Sequence, residues 1–124
     1  MNLDKGLLSE LKVSRYYVNK GYSIYLPASS RGPVDMVVTR GSKILRIQVK
    51  TVYEDRDKLR VNIHHRKGGP KYTKEDVDML VCVRYNCLWI IPMEDIENET
   101  TLIFGTLSGK PYKTGFKHEQ YRAV

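Results

Sequence analysis

A chain of 124 residues has room for one hydrophobic core, and 21 Lys and Arg against 14 Asp and Glu give it a formal charge of +7, which favours a polyanionic partner. Its two cysteines, Cys82 and Cys87, lack the paired Cys/His spacing of a zinc site and are expected as reduced core thiols. The longest apolar runs, Met79–Val83 and Leu88–Met93, fall far below the ~18 residues of a membrane span, and the N-terminal MNLDKGLLSE lacks a signal-peptide core, so a cytoplasmic protein with no membrane partner is expected.

In chain order, residues Asp4–Lys20 are predicted to form a helix, with Asp4 as N-cap and Lys20-Gly21 as its stop. Leu3, Leu7, Leu8, Leu11 and Val18 recur at spacings of three and four and define the expected buried stripe. Glu10 falls at the edge of that stripe. Read alone it is a solvated glutamate; beside an acidic strand residue it becomes a carboxylate delivered to a sheet edge. A short strand, Tyr22–Leu26, follows, and then a polar loop, Pro27–Gly32, whose Arg31 reads equally as a phosphate contact or as a solvated side chain.

The stretch Pro33–Thr51 carries the densest chemistry. Two β-branched runs, Val34–Thr39 and Ile44–Val52, flank Gly41-Ser42, and Gly in the first loop position signals a type II′ hairpin. With that loop, Arg40 faces Lys43 and Asp35 falls opposite Gln48. Side chains alternate along a strand, so Asp35, Gln48 and Lys50 share one face, while Met36, Val38, Leu45, Ile47 and Val49 make the other face wholly apolar. Facing Cβ atoms lie about 4.5–5.5 Å apart, so an acid, an amide oxygen and an ammonium converge on a space the size of one hydrated cation.

Beyond a charged turn, YEDRDK, a strand is expected over Leu59–Ile63, with Leu59, Val61 and Ile63 on one face. The segment His64–Lys74 is polar, basic and glycine-rich. Arg66, Lys67 and Lys71 suit contacts to a phosphate backbone, and Tyr72 is expected to stack or wedge. Thr73 and Asp76 resemble a capping box opening a single turn. Met79–Arg84 and Leu88–Pro92 are apolar enough to be buried on both faces and form a second hairpin. A helix from Pro92 to about Asn98 should turn Met93 and Ile96 inward. The tail, residues 108–124, reads equally as a basic arm or a final packed helix. Neither repeats nor a linker divide the chain, so residues 1–124 are read as one domain.

The order of these features resembles the PD-(D/E)XK nuclease superfamily: a helix with Glu10, a GY-I-x-P segment (Gly21 to Pro27), Pro33-Val34-Asp35 on one strand and Gln48-Val49-Lys50 on its partner. Within it the chain is most similar to small archaeal-type Holliday junction resolvases and group I intron homing endonucleases. Gln48 stands where the motif usually has Asp or Glu, as in a minority of active members. The resemblance implies an α/β fold, with a restriction-endonuclease-like mixed central β-sheet flanked by helices. It also implies a Mg²⁺-dependent DNA endonuclease, in which Mn²⁺ can substitute. Asp35 would be the principal metal ligand, joined by Glu10, the Gln48 carbonyl oxygen and the main-chain carbonyl of Val49, while Lys50 would serve the attacking water and the scissile phosphate. Cutting two strands with one site per chain implies a homodimer or higher homo-oligomer. Two rivals stand beside it: an inactive DNA-binding module of the same fold, and a small basic RNA-associated protein.

Overall fold

The Gly41-Ser42 hairpin forms where its glycine puts it. In a computed structural model, which describes residues 5–29, 32–63, 72–108 and 117–124, strands β2 (Met36–Arg40) and β3 (Lys43–Thr51) pair antiparallel around Gly41-Ser42. Gly41 alone in this loop has positive φ, at 61°, as a type II′ turn requires. Arg40 faces Lys43 and Met36 faces Ile47, the register read from the sequence. Met36, Val38, Ile47 and Val49 are buried together, with Leu45 packed against them.

Strand β1 (Ser23–Tyr25) lies outside β2, and on the other side β3 pairs in parallel with β6 (Met79–Arg84). A two-residue loop, Tyr85-Asn86, with Tyr85 at φ 51°, then returns the chain into β7 (Cys87–Pro92). The central sheet thus has the order β1-β2-β3-β6-β7 and mixes one parallel with three antiparallel pairings. Leu80, Val81, Cys82 and Val83 of β6 are buried on both faces, as the continuous hydrophobicity there required.

Helix α1 (Lys5–Asn19) covers one face of this sheet, but not with the predicted stripe. Its buried residues are Ser9, Val13 and Tyr17, while Leu7, Leu8, Leu11 and Val18 are exposed at 52, 39, 57 and 55%. The reason is tertiary. Tyr17 meets Tyr16 and Tyr22 edge-on, at 5.2 and 5.1 Å between ring centres, and fills more of the interface than a leucine would. The Ser9 hydroxyl is satisfied by that of Thr51 at 2.7 Å. Leu3 and Asp4, the expected N-cap, lie outside the described residues.

The opposite face is covered by a second sheet in place of the expected flanking helices. Strands β4 (Tyr53–Asp55), β5 (Lys58–Asn62) and β8 (Thr101–Thr106) pair in the order β4-β5-β8. Val61, Ile63, Leu102 and Phe104 pack there against Leu80, Cys82, Trp89 and Ile91. The helix expected after Pro92 is one 3₁₀ turn, Met93–Ile96, with both of those residues buried. The Thr73–Asp76 capping interaction forms as expected: the Asp76 carboxylate accepts from Thr73 N–H at 2.9 Å, and Glu75 N–H donates to the Thr73 hydroxyl at 3.2 Å. Among the described residues no helix is long and apolar enough to cross a membrane.

Residues 117–124 are a packed closing segment and no arm. A 3₁₀ turn, Lys117–Tyr121, leads into a bridge between Arg122 and Trp89, and Ala123 N–H donates to Leu88 O at 2.8 Å. Trp89 Nε1 donates to Glu119 at 3.0 Å, and buried His118 lies 2.8 Å from the Glu99 carboxylate. The free edge of β7 is thereby covered. The other basic residues of the tail, Lys110 and Lys113, lie outside the described residues.

The junction of β3 with β6 is held by an ion pair. Arg46 donates to Asp78 through its main-chain N–H at 2.7 Å and its Nε at 3.2 Å, and its guanidinium also reaches the carbonyls of Lys74 and Glu75. Arg46 holds the Asp78 carboxyl below its ordinary value of 3.8. A depressed carboxyl pKa stabilises the fold above the unfolded value, and that contribution is lost as pH falls through the folded one. Asp78→Asn should therefore lower stability at neutral pH by about 1 kcal/mol, the pair being partly solvent-screened. In urea unfolding the gap between wild type and variant should close below pH 4; a gap independent of pH would remove the pair from the account.

Candidate active site

Asp35 precedes the first paired residue of β2, and both of its ends are tied to β3. Its N–H donates to Ile47 O at 2.8 Å, and its Oδ2 accepts from Val49 N–H at 2.7 Å. These bonds bracket Gln48, so the carboxylate stays beside the residue that the hairpin register set opposite it. Burial raises the Asp35 carboxyl above its ordinary value; the Val49 N–H, a hydrogen bond with Glu10 and the charge of Lys50 oppose that rise.

A hydrogen bond between Glu10 and Asp35 is one of the contacts that join helix to hairpin. Ser9 anchors α1 to the end of β3 through Thr51, and Val13, one turn later, is fully buried over the sheet. With positions 9 and 13 turned inward, residue 10 projects along the flank that meets Asp35. Two carboxyls in hydrogen-bonding contact share a proton between them, or need a cation there if both are to carry charge.

Gln48 is 7% exposed. Its Nε2 donates to Val49 O at 3.2 Å, while its Oε1 is buried and makes no hydrogen bond among the described residues. A buried carbonyl oxygen without a donor costs on the order of 1–3 kcal/mol, and on the residue that follows Ile47, the partner of Met36, it is available as an oxygen donor near Asp35. Asp35, Glu10, Gln48 Oε1 and the Val49 carbonyl are all oxygen donors, the kind of ligand that a hard divalent cation takes. Among the described residues no group of three or more His, Cys, Asp or Glu could hold a metal ion; here two of the four oxygens come from neutral groups.

Lys50 lies on the Gln48 face of β3, where the parallel register sets Gln48 beside Leu80 and Lys50 beside Cys82. Burial lowers its ammonium pKa, and Asp35 and then Cys82 pull it back up. Its Nζ sits 5.0 Å from the ring centre of Tyr72. Tyr72 corrects the expectation of a base-stacking residue: it is 4% exposed and packed in the core shared with Val61, Leu80 and Cys82. Its hydroxyl pKa is raised by burial first and then by Asp35 and Asp76. The ring thus forms the floor beneath Lys50, because only an aromatic can both fill that core position and face a cation.

The structure brings together Glu10, Asp35, Gln48, Val49 and Lys50. Arg31, Arg66, Lys67 and Lys71, the expected DNA contacts, lie outside the described residues. Sequence reasoning missed Ser9 and the true place of Tyr72. The i, i+4 series Ser9, Val13, Tyr17 was the available signal, and it was overlooked because only aliphatic residues were counted.

The fold is similar to that of the bacterial homing endonuclease I-Ssp6803I, with a TM-score of 0.81 at 17% identity over 95% of this chain and 86% of that one. In sequence the chain is similar to Protein 5.3 of Escherichia phage T7, at 26% identity over 103 residues, covering 81% of this chain and 87% of that protein. The PD-(D/E)XK endonuclease family model matches residues 2–114. With nearly its whole length so matched, and with Glu10, Asp35 and Gln48-Val49-Lys50 gathered at one hairpin, the chain belongs to the PD-(D/E)XK endonuclease family.

Proposed function

We propose that this nuclease is a Mg²⁺-dependent endodeoxyribonuclease, with Mn²⁺ as a working substitute. The observation that carries the reading is the Glu10–Asp35 contact, together with the unbonded oxygen of Gln48, which the hairpin register sets opposite Asp35. Asp35, Glu10, Gln48 Oε1 and Val49 O would hold the cation, which when bound supplies charge to the scissile phosphate and acidifies a water. The chain's own part is positional. Val49 N–H fixes the Asp35 carboxylate, and Ser9–Thr51 fixes the helix that presents Glu10. Lys50, braced over Tyr72, offers a proton-carrying nitrogen to the attacking water or to charge developing on the phosphate.

Homing endonucleases and junction resolvases both cut two strands, so a homodimer or higher homo-oligomer accompanies this reading. The exposed apolar side of α1, Leu7, Leu11 and Val18, supports self-association. The direct test is supercoiled plasmid incubated with Mg²⁺ and with EDTA, followed by a matched four-way junction and linear duplex. Nicking or linearisation that EDTA abolishes is expected. Binding of DNA without cleavage in either metal would leave only an inactive module of the same fold.

A further inference from the structure

One hollow of the described structure is not lined by Asp35 or Lys50. It is a furrow of about 630 Å³ on the other side of the Ser9–Thr51 hydrogen bond, between α1 and the ends of β3, β4 and β6. Lys5 and Lys12 stand on its helix wall, and Arg84, Tyr85, Tyr53 and Glu54 line the sheet side. A second hollow of about 240 Å³ shares Lys12 and Tyr85 and adds Arg15 and Tyr16. The two thus neighbour each other along the helix.

Charge gives this surface its chemistry. Lys5, Lys12 and Arg15 are all exposed and make no ion pair among the described residues. The lone lining acid, Glu54, is 3.0 Å from Arg84 and already neutralised. The one acid of α1, Glu10, is turned toward Asp35 instead. Arg84 lies 4.6 Å from the ring centre of Tyr85, which holds that phenol at the furrow while leaving it 69% exposed. Exposed cations interleaved with phenol hydroxyls are the groups that contact phosphate oxygens without reading bases.

Position ties the furrow to the catalytic cluster. It begins at Ser9 and Thr51, each one residue from a member of that cluster, Glu10 and Lys50. The cluster itself presents carboxyls, which repel a polyanion, so affinity must come from neighbouring surface. We propose that the furrow along α1 binds the sugar–phosphate backbone of the DNA substrate beside the cut, on the far side of the Ser9–Thr51 bond from the carboxylates. The proposal rests on the nuclease reading for the identity of its ligand and on the furrow's own charge for its site.

The test is anisotropy of a labelled DNA duplex over a series of salt concentrations, in EDTA so that no cutting intervenes. Lys5→Ala/Lys12→Ala/Arg15→Ala changes only exposed helix residues, and its folding is checked by circular dichroism. Affinity should fall by about tenfold or more, and the slope of log K against log salt should flatten by roughly one unit per lost phosphate contact. The charge-keeping Lys5→Arg/Lys12→Arg variant should bind as wild type does. A folded triple variant with unchanged affinity and slope overturns the furrow, even if the wild type nicks plasmid normally. Lost affinity in that variant, with a wild type that never cuts, leaves the furrow standing and removes the catalytic reading instead.

Discussion

Cleavage should be abolished in Asp35→Asn and Asp35→Ala, by roughly a thousandfold or more in single-turnover rate, while DNA affinity is kept or rises. The two variants separate charge from architecture. Asparagine keeps an oxygen for the Val49 N–H, which Asp35 Oδ2 now engages at 2.7 Å, and loses only the negative charge. Alanine also leaves that N–H unpaired, at about 1 kcal/mol of stability. If the site works through a cation, both variants are equally dead and Asp35→Asn melts like wild type. If Asp35 served only to brace the hairpin, Asp35→Asn would cut normally, and that result would dismantle the site. The rise in affinity follows from removing a negative group that faces phosphate.

The second large effect concerns Gln48. Gln48→Leu is close in volume and apolar, so a position only 7% exposed should accept it and the fold should hold. Cleavage should nevertheless drop by about a hundredfold, because the oxygen that now lacks a donor disappears from the site. Gln48→Glu acts differently. It sets a third carboxylate beside Glu10 and Asp35, so without divalent cation the variant should melt below wild type through like-charge repulsion. Added Mg²⁺ should raise its melting temperature more than that of wild type, since a ligand stabilises the state that binds it in proportion to its affinity. The Mg²⁺ concentration for half-maximal cutting should fall by about an order of magnitude. A Gln48→Leu enzyme that cuts like wild type, or a Gln48→Glu protein whose melting ignores Mg²⁺, places residue 48 outside the metal site.

What the sequence disclosed was mostly local. Gly41 determines a two-residue turn, and the turn dictates every pairing down to Met36 and Ile47, so the register of the hairpin was legible in the sequence. The side of α1 that faces the sheet was not legible in the same way. Its leucines satisfy a helical period, yet a period says only that one face is apolar. Tyr17 with its aromatic neighbours and Ser9 with Thr51 decided the orientation from outside the helix. The second sheet escaped for a related reason. Strand β8 finds β5 across a long excursion and with a register shift at Leu59 and Arg60, and no short-range signal encodes such a pairing. Tyr72 was noticed for its chemistry and misplaced, because flanking basic residues suggested a surface loop while its ring belonged to the core.

The parallel seam between β3 and β6 has a bearing on how the molecule comes into being. Ile47 through Thr51 gain their neighbours Met79 through Val83 only after the chain has made the β4–β5 hairpin and returned. Closing so long a loop is entropically slow, whereas the Gly41 turn can form within microseconds. On a ribosome, the β2–β3 ribbon would therefore emerge early with the apolar edge of β3 bare, and it would wait for β6 to be synthesised. Substitutions that loosen the Arg46–Asp78 clasp at the start of that seam should then slow refolding as well as weaken the folded state. During that wait the nascent chain would be most prone to aggregate, with Glu10, Asp35 and Lys50 already made but not yet held in register.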